Sequence, residues 1–75
     1  MEKIIYVQLL NEGTKVFRPV PAIEVGNFIF EIMGSDIYKP EDETWEFLPN
    51  TCVLVEEKKL SKKNVLVAIK EQRPI

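Results

Sequence analysis

The sequence predicts a single small all-β domain, a barrel of five or six antiparallel strands spanning residues 1–75. Two observations support this. At 75 residues the chain has room for one hydrophobic core. Between residues 14 and 55, four short segments rich in β-branched and aromatic residues alternate with turn signals, which is typical of consecutive strands.

The first strand is predicted over residues 3–10. Apolar residues occupy both of its faces. One face carries Ile5, Val7 and Leu9, and the other carries Ile4, Tyr6 and Leu10. A strand that is apolar on both faces is covered on both faces, by its own domain or by a partner.

The second strand, residues 16–23, contains Pro19 and Pro21. Because proline donates no hydrogen bond, we expect this strand at a sheet edge, with a bulge or with a sharp bend. Gly26 and Asn27 then predict a tight hairpin turn. We expect Phe28 and Phe30 in the core, since they lie two residues apart on one face.

A polar loop is predicted over residues 34–43, followed by a half-buried strand at residues 44–47. Residues 48–51 predict a turn, with a single 3₁₀ turn near Pro49 as the alternative. A fifth strand covers residues 52–57. For residues 60–71 the strand and the helix both remain open. We favour a sixth strand at 65–69, because its β-branched residues disfavour a helix starting at Ser61.

Composition excludes several functions. The chain has no histidine, one cysteine and a net charge of −2. Without histidine, neither a zinc site nor a nucleophile–base pair is expected, so we predict no enzyme, no metal and no cofactor. Cys52, flanked by apolar residues, is expected to be an inert buried thiol. No signal or membrane-spanning segment is expected, and a lone cysteine favours the cytoplasm.

The candidate binding surface combines the acidic loop with the second strand. It consists of Phe17, Arg18, Tyr38, Asp42, Glu43, Trp45 and Glu46. A partly exposed tryptophan beside carboxylates is suited to recognising a partner protein. The interpretation that we favour is that Trp45 is a core residue with its indole N–H bonded to backbone, and that the acidic residues maintain solubility. Arg18 is expected to pair with Glu46 or Glu24.

Four lysines form a second candidate surface for nucleic acid, namely Lys58, Lys59, Lys62 and Lys63. The negative net charge and the lack of an aromatic residue among them disfavour this function. Protection of an exposed strand edge is the alternative. A third hypothesis is self-association through the first strand or the tail.

The segment from Leu9 to Ala22 carries the pattern Leu-Leu-x-Glu-Gly-Thr-x-Val-aromatic-Arg-Pro-Val-x-Ala, and residues 45–49 carry Trp-Glu-Phe-x-Pro. Both resemble segments of a family of small uncharacterised bacterial proteins, in which tryptophan is common at the position of Phe17. That resemblance implies a family without implying a function. An aromatic-x-Pro-x-x-Ala strand followed by a hairpin and a closing hairpin also resembles SH3-like barrels of the Tudor or KOW type, an analogy of fold alone.

Overall fold

A computed structural model describes residues 2–72 and confirms the all-β class. No helix occurs among these residues, so none of the described chain forms a helix able to cross a membrane. The strands are β1 (Glu2–Leu10), β2 (Val16–Gly26), β3 (Ile29–Ile32), β4 (Thr44–Trp45), β5 (Cys52–Leu60) and β6 (Lys63–Glu71).

Five of the six strands close into a ring, in the order β1, β2, β3, β5, β6 and back to β1. Successive neighbours are antiparallel, and β6 closes on β1 as a parallel pair through Val67 and Tyr6. In a ring of five strands with alternating direction, the first and the fifth run the same way. The prediction of purely antiparallel strands is therefore wrong at this one pair.

The short β4 lies beside the end of β1, where Trp45 pairs with Leu9. This pairing brings the large Trp45 side chain to one end of the ring. The core is formed by the inward side chains of all six strands, of which Trp45 and Phe30 are the largest. No polar residue is fully buried within the described chain.

The prolines of β2 lie where they remove no hydrogen bond from the β1–β2 ladder. Pro19 and Pro21 pair with Tyr6 and Ile4 of β1, and the Pro21 carbonyl accepts a bond from Met33 on the opposite edge. Since N and C=O of one residue project to the same edge, both proline nitrogens point away from β1. β3 pairs with β2 only from Ala22 onward, so Pro19 lies on an open edge, as expected.

The hairpin between β2 and β3 turns at Asn27 and Phe28, and the ladder has a bulge between Glu24 and Gly26. Phe28 has a φ of 61° and is 54% exposed, so its predicted place in the core is wrong. Phe30, in contrast, is buried as predicted. Because Phe28 lies in the turn, its side chain does not follow the alternation of inward and outward side chains along β3.

Residues 48–51 form one hydrogen-bonded turn, in which Thr51 N donates to the Leu48 carbonyl at 3.2 Å. Pro49 occupies its second position and Asn50, with a φ of 71°, its third, which is the pattern of a type II turn. The expected turn is confirmed, and no 3₁₀ helix forms there.

The tail forms the sixth strand and not a helix, as favoured above. Ser61 and Lys62 connect β5 to β6 with φ values of 50° and 70°, as in a type I′ turn. Both strands are longer than predicted, so Lys58, Lys59 and Lys63 lie within strands instead of a loop. Pairing with β3 ends at Leu54. Residues 56–67 therefore project from the ring as a two-stranded arm, called here the β5–β6 arm.

Candidate functional site

The loop of residues 34–43 is anchored to the core by Trp45. Trp45 is 1% exposed, its ring centroid lies 4.8 Å from that of Tyr38, and the two planes are inclined by 54°. Its indole Nε1 donates a hydrogen bond of 2.9 Å to Glu43 Oε1. The favoured interpretation of Trp45 as a core residue is therefore confirmed, and the partly exposed tryptophan of the binding hypothesis is wrong. Trp45 is a core residue whose N–H is satisfied by a side chain instead of backbone.

Arg18 reaches the same carboxylate from β2. It pairs across the ladder with the buried Val7, so it projects toward the inner face at the end of the ring. Its Nε lies 3.1 Å from Glu43 Oε1, and its guanidinium carbon lies 6.0 Å from the Trp45 ring centroid. The predicted partners, Glu46 and Glu24, are both wrong. Glu24 instead forms an ion pair with Lys3, with 3.6 Å between Glu24 Oε1 and Lys3 Nζ.

The contact between Arg18 and Glu43 is an ion pair without a well-directed hydrogen bond. Arg18 Nε is buried, and its N–H does not point at the carboxylate oxygen despite the short separation. The two side chains are 38% and 22% exposed. Partly exposed pairs of this kind contribute about 0–1 kcal/mol. The pair therefore orients the loop more than it stabilises the fold.

Two hydrogen-bonded turns shape the loop backbone. The Gly34 carbonyl accepts from Ile37 N at 2.9 Å and from Tyr38 N at 3.0 Å. The Lys39 carbonyl accepts from the amides of residues 42 and 43 at 2.9 and 3.1 Å. Gly34 has a φ of 97°, and a Cβ there would lie 3.2 Å from Ile37 Cγ1. Only glycine fits this position without strain.

An open depression of about 270 Å³ lies on the outer side of this network, lined by Arg18, Ile37, Lys39, Asp42 and Glu43. Ile37 is 38% exposed, and Asp36, Glu41 and Asp42 are exposed around it. With Glu43 paired to Arg18, three carboxylates and one lysine amine remain on the loop surface. The surface is therefore acidic around an apolar residue.

The structure brings together five of the seven residues predicted for this site: Arg18, Tyr38, Asp42, Glu43 and Trp45. Phe17 is excluded because neighbours in a strand point to opposite faces, and it lies on the outer face opposite Gln8. Glu46 is also placed elsewhere. Its amide donates to the Gln8 carbonyl at 2.8 Å, so it lies along β1, on the edge opposite to β2, and does not line the depression.

The four lysines of the second surface are all exposed, but they do not share one face. Cross-strand partners share a face, so Lys63 lies with Leu60, and Lys58 lies with Val65. Lys59 lies opposite Asn64 on the other face, and Lys62 occupies the turn. The lysine group is thus divided into two small sets.

A cleft separates the β5–β6 arm from the outer face of β1 and β2. It contains two adjoining depressions of about 270 and about 400 Å³, which share Tyr6, Leu60 and Ser61. Tyr6, Lys15 and Phe17 were not assigned to the lysine surface from the sequence. Only the folding of the arm back toward β1 and β2 brings them to it.

Three exposed apolar side chains lie around the β2–β3 hairpin and the neighbouring strand: Ile4, Val25 and Phe28, each more than half exposed. The double-faced apolar pattern of β1 signalled the first of them. The turn was predicted from Gly26 and Asn27, but the bulge and the place of Phe28 within the turn, which leave Val25 and Phe28 exposed, were not.

Cys52 is free and half-buried, opposite Glu31 of β3, so the expected burial is wrong.

Between residues 2 and 72, no cluster of histidine, cysteine, aspartate or glutamate has the arrangement of a metal site.

Comparison of the chain with protein-family models, with curated proteins and with solved structures finds no match in any of the three.

Proposed function

We propose that this protein is a non-catalytic interaction module that binds a basic segment of a partner protein at the loop of residues 34–43. The single observation that carries the proposal is the acidic loop surface around Ile37, where Asp36, Glu41 and Asp42 are exposed. The core network beneath it holds the loop in one conformation, so a partner meets a surface already in place.

The charge of this surface selects the chemistry of the partner. Asp36, Glu41 and Asp42 are exposed and have no ion-pair partner among the residues described. Complementary charges across an interface favour association and specificity. Ile37 adds an apolar contact at the centre. A segment that carries lysine or arginine next to an apolar residue fits this arrangement.

The test is binding of labelled basic peptides, measured by fluorescence anisotropy and by amide chemical shifts. We expect Glu41→Lys with Asp42→Lys to weaken binding at least ~10-fold, about the 1.4 kcal/mol expected for lost charge complementarity. The control is Glu57→Lys, an exposed acid on the β5–β6 arm. Equal affinities in all variants, or shifts outside residues 34–43 and Arg18, would reject this surface.

Self-association is a second candidate, favoured by the exposed Ile4, Val25 and Phe28. Exposed apolar groups of this kind mark interaction surfaces. Sedimentation over a range of concentrations tests it. A concentration-dependent rise in mass that Phe28→Ser abolishes supports it, and a monomer at every concentration rejects it.

Three broader expectations accompany the proposal. The closed ring of short strands supports an SH3-like relationship by analogy of fold. The lone free cysteine supports a cytoplasmic location. A bacterial origin rests on the motif resemblance alone.

A further inference from the structure

We propose that the cleft between the β5–β6 arm and the outer face of β1 and β2 binds a short stretch of single-stranded nucleic acid. This site is separate from the loop of residues 34–43, and the inference does not depend on the function proposed for that loop.

The cleft has two walls of different origin. Tyr6, Lys15 and Phe17 form the wall on β1, β2 and the turn that joins them, and Leu60, Lys63 and Val65 form the wall on the arm. At its inner end Val67 pairs with Tyr6 and is 3% exposed, so the arm packs on the ring there. The outer end is open. An extended chain therefore has access along the cleft.

Two aromatic side chains lie next to each other on the wall formed by β1 and β2. Tyr6 is opposite Pro19, and Phe17, two residues earlier on β2, is its diagonal neighbour on the same outer face. Both are half-buried, so part of each ring remains accessible. Neighbouring rings of this kind accept unpaired bases by stacking, with little dependence on sequence.

The charge of the cleft matches a phosphate backbone. Its charged lining residues are Lys15 and Lys63, and no acidic residue is among the described residues that line it. Lys58 and the exposed Glu56 lie on the same face of the arm, opposite Val65 and Val67, and their charges offset each other. The net charge of −2 is thus unevenly distributed, and the lining of the cleft is locally positive. Two lysines that neutralise phosphates make binding measurable at low salt.

A single strand fits better than a duplex, because the bases of a duplex are already stacked on each other and are not free to stack on Tyr6 and Phe17. An acidic peptide matches the lysines but not the pair of rings. It is therefore tested as the competing ligand.

The experiment measures the anisotropy of a labelled ten-nucleotide oligothymidine and of its RNA counterpart at 50 mM salt. We expect Lys63→Glu to weaken binding about five-fold or more, because a phosphate contact is lost. Lys59→Glu is the matched control. It changes the net charge equally but lies on the opposite face of the arm, and we expect less than a two-fold effect.

A second pair of variants tests stacking. Phe17→Leu is expected to weaken binding about five-fold or more, the lower end for loss of one stacked base. Phe28→Leu removes an exposed ring elsewhere and is expected to leave the affinity unchanged. With the two lining lysines engaged, the logarithm of affinity is expected to fall with the logarithm of salt with a slope of about −1.4.

Several results would overturn the proposal. These are absence of binding at 50 mM salt, equal effects of Lys63→Glu and Lys59→Glu, equal effects of Phe17→Leu and Phe28→Leu, or tighter binding of an oligoglutamate peptide or of duplex DNA. Thermal unfolding of each variant shows that it is folded. A Phe17→Leu variant that does not fold leaves the lysine pair as the deciding comparison.

Discussion

The indole nitrogen of Trp45 donates its hydrogen bond to Glu43, a residue only two positions earlier in the chain. The carboxylate oxygen that accepts this bond also lies 3.1 Å from Arg18 Nε. One oxygen thus connects the core to the loop and to the second strand. The acidic loop is anchored inward by Trp45, the residue that the binding hypothesis placed at its surface.

Glu43→Ala is expected to lower the free energy of unfolding by about 1–2 kcal/mol, because it leaves the nearly buried indole N–H without its acceptor. Glu43→Gln keeps a carbonyl acceptor and removes only the charge, so it is expected to cost less than half as much. Urea denaturation measures both. Equal losses in the two variants would assign the effect to the ion pair with Arg18 instead of the indole bond.

Gly34→Ala is expected to destabilise the protein by about 2 kcal/mol, through a positive φ and a contact of 3.2 Å with Ile37. Gly13→Ala is the control, because a Cβ at that position meets nothing within 4 Å. It is expected to be neutral or slightly stabilising. Chemical denaturation of the two variants compares them directly, and a neutral Gly34→Ala would contradict the loop geometry.

Phe28→Asn is expected to stabilise the protein by about 0.5–1 kcal/mol, since asparagine tolerates a positive φ better than phenylalanine. That corresponds to roughly 2–8 °C in Tm for a domain of this size. Val25→Asn removes a similarly exposed apolar side chain without a positive φ, and no gain is expected. A fall in the Tm of Phe28→Asn would show that the exposed ring contributes to packing.

The turn of the β5–β6 arm offers a further prediction. Replacing Ser61 by Asn together with Lys62 by Gly places the preferred pair in a type I′ turn, and we expect about 1 kcal/mol of added stability. Ser61→Val is the opposite change. A β-branched residue at a φ of 50° is expected to cost about 1 kcal/mol. Thermal unfolding measures both, and the same sign of change for both would exclude this turn type.

The strands and turns were largely predictable from the sequence because their signals are local. Alternation placed Ile5, Val7 and Leu9 together on one face of β1, although it did not show which face is buried, and the prolines of β2 indicated a strand that is partly unpaired. Phe28 was misplaced because alternation is interrupted by the turn in which it lies. A positive φ at phenylalanine has no sequence signature.

The candidate sites were less predictable, since they depend on residues distant in the chain. Phe17 and Arg18 are adjacent in sequence yet point to opposite faces, so one lines the cleft and the other contacts Glu43. The pairing of Tyr6 with Val67, which brings the arm to β1, joins residues 61 positions apart. No local pattern encodes such a contact.

The amino-acid sequence by itself determined an all-β chain with one core, its strands and most of its turns, because these follow from local preference and alternation. Only the tertiary structure decided that Glu43 accepts the indole hydrogen bond of Trp45 and pairs with Arg18, and that Tyr6 and Phe17 lie near Lys63 of the arm. Ring closure is the physical reason. It sets which faces point inward and which distant side chains meet, and both depend on the whole chain at once.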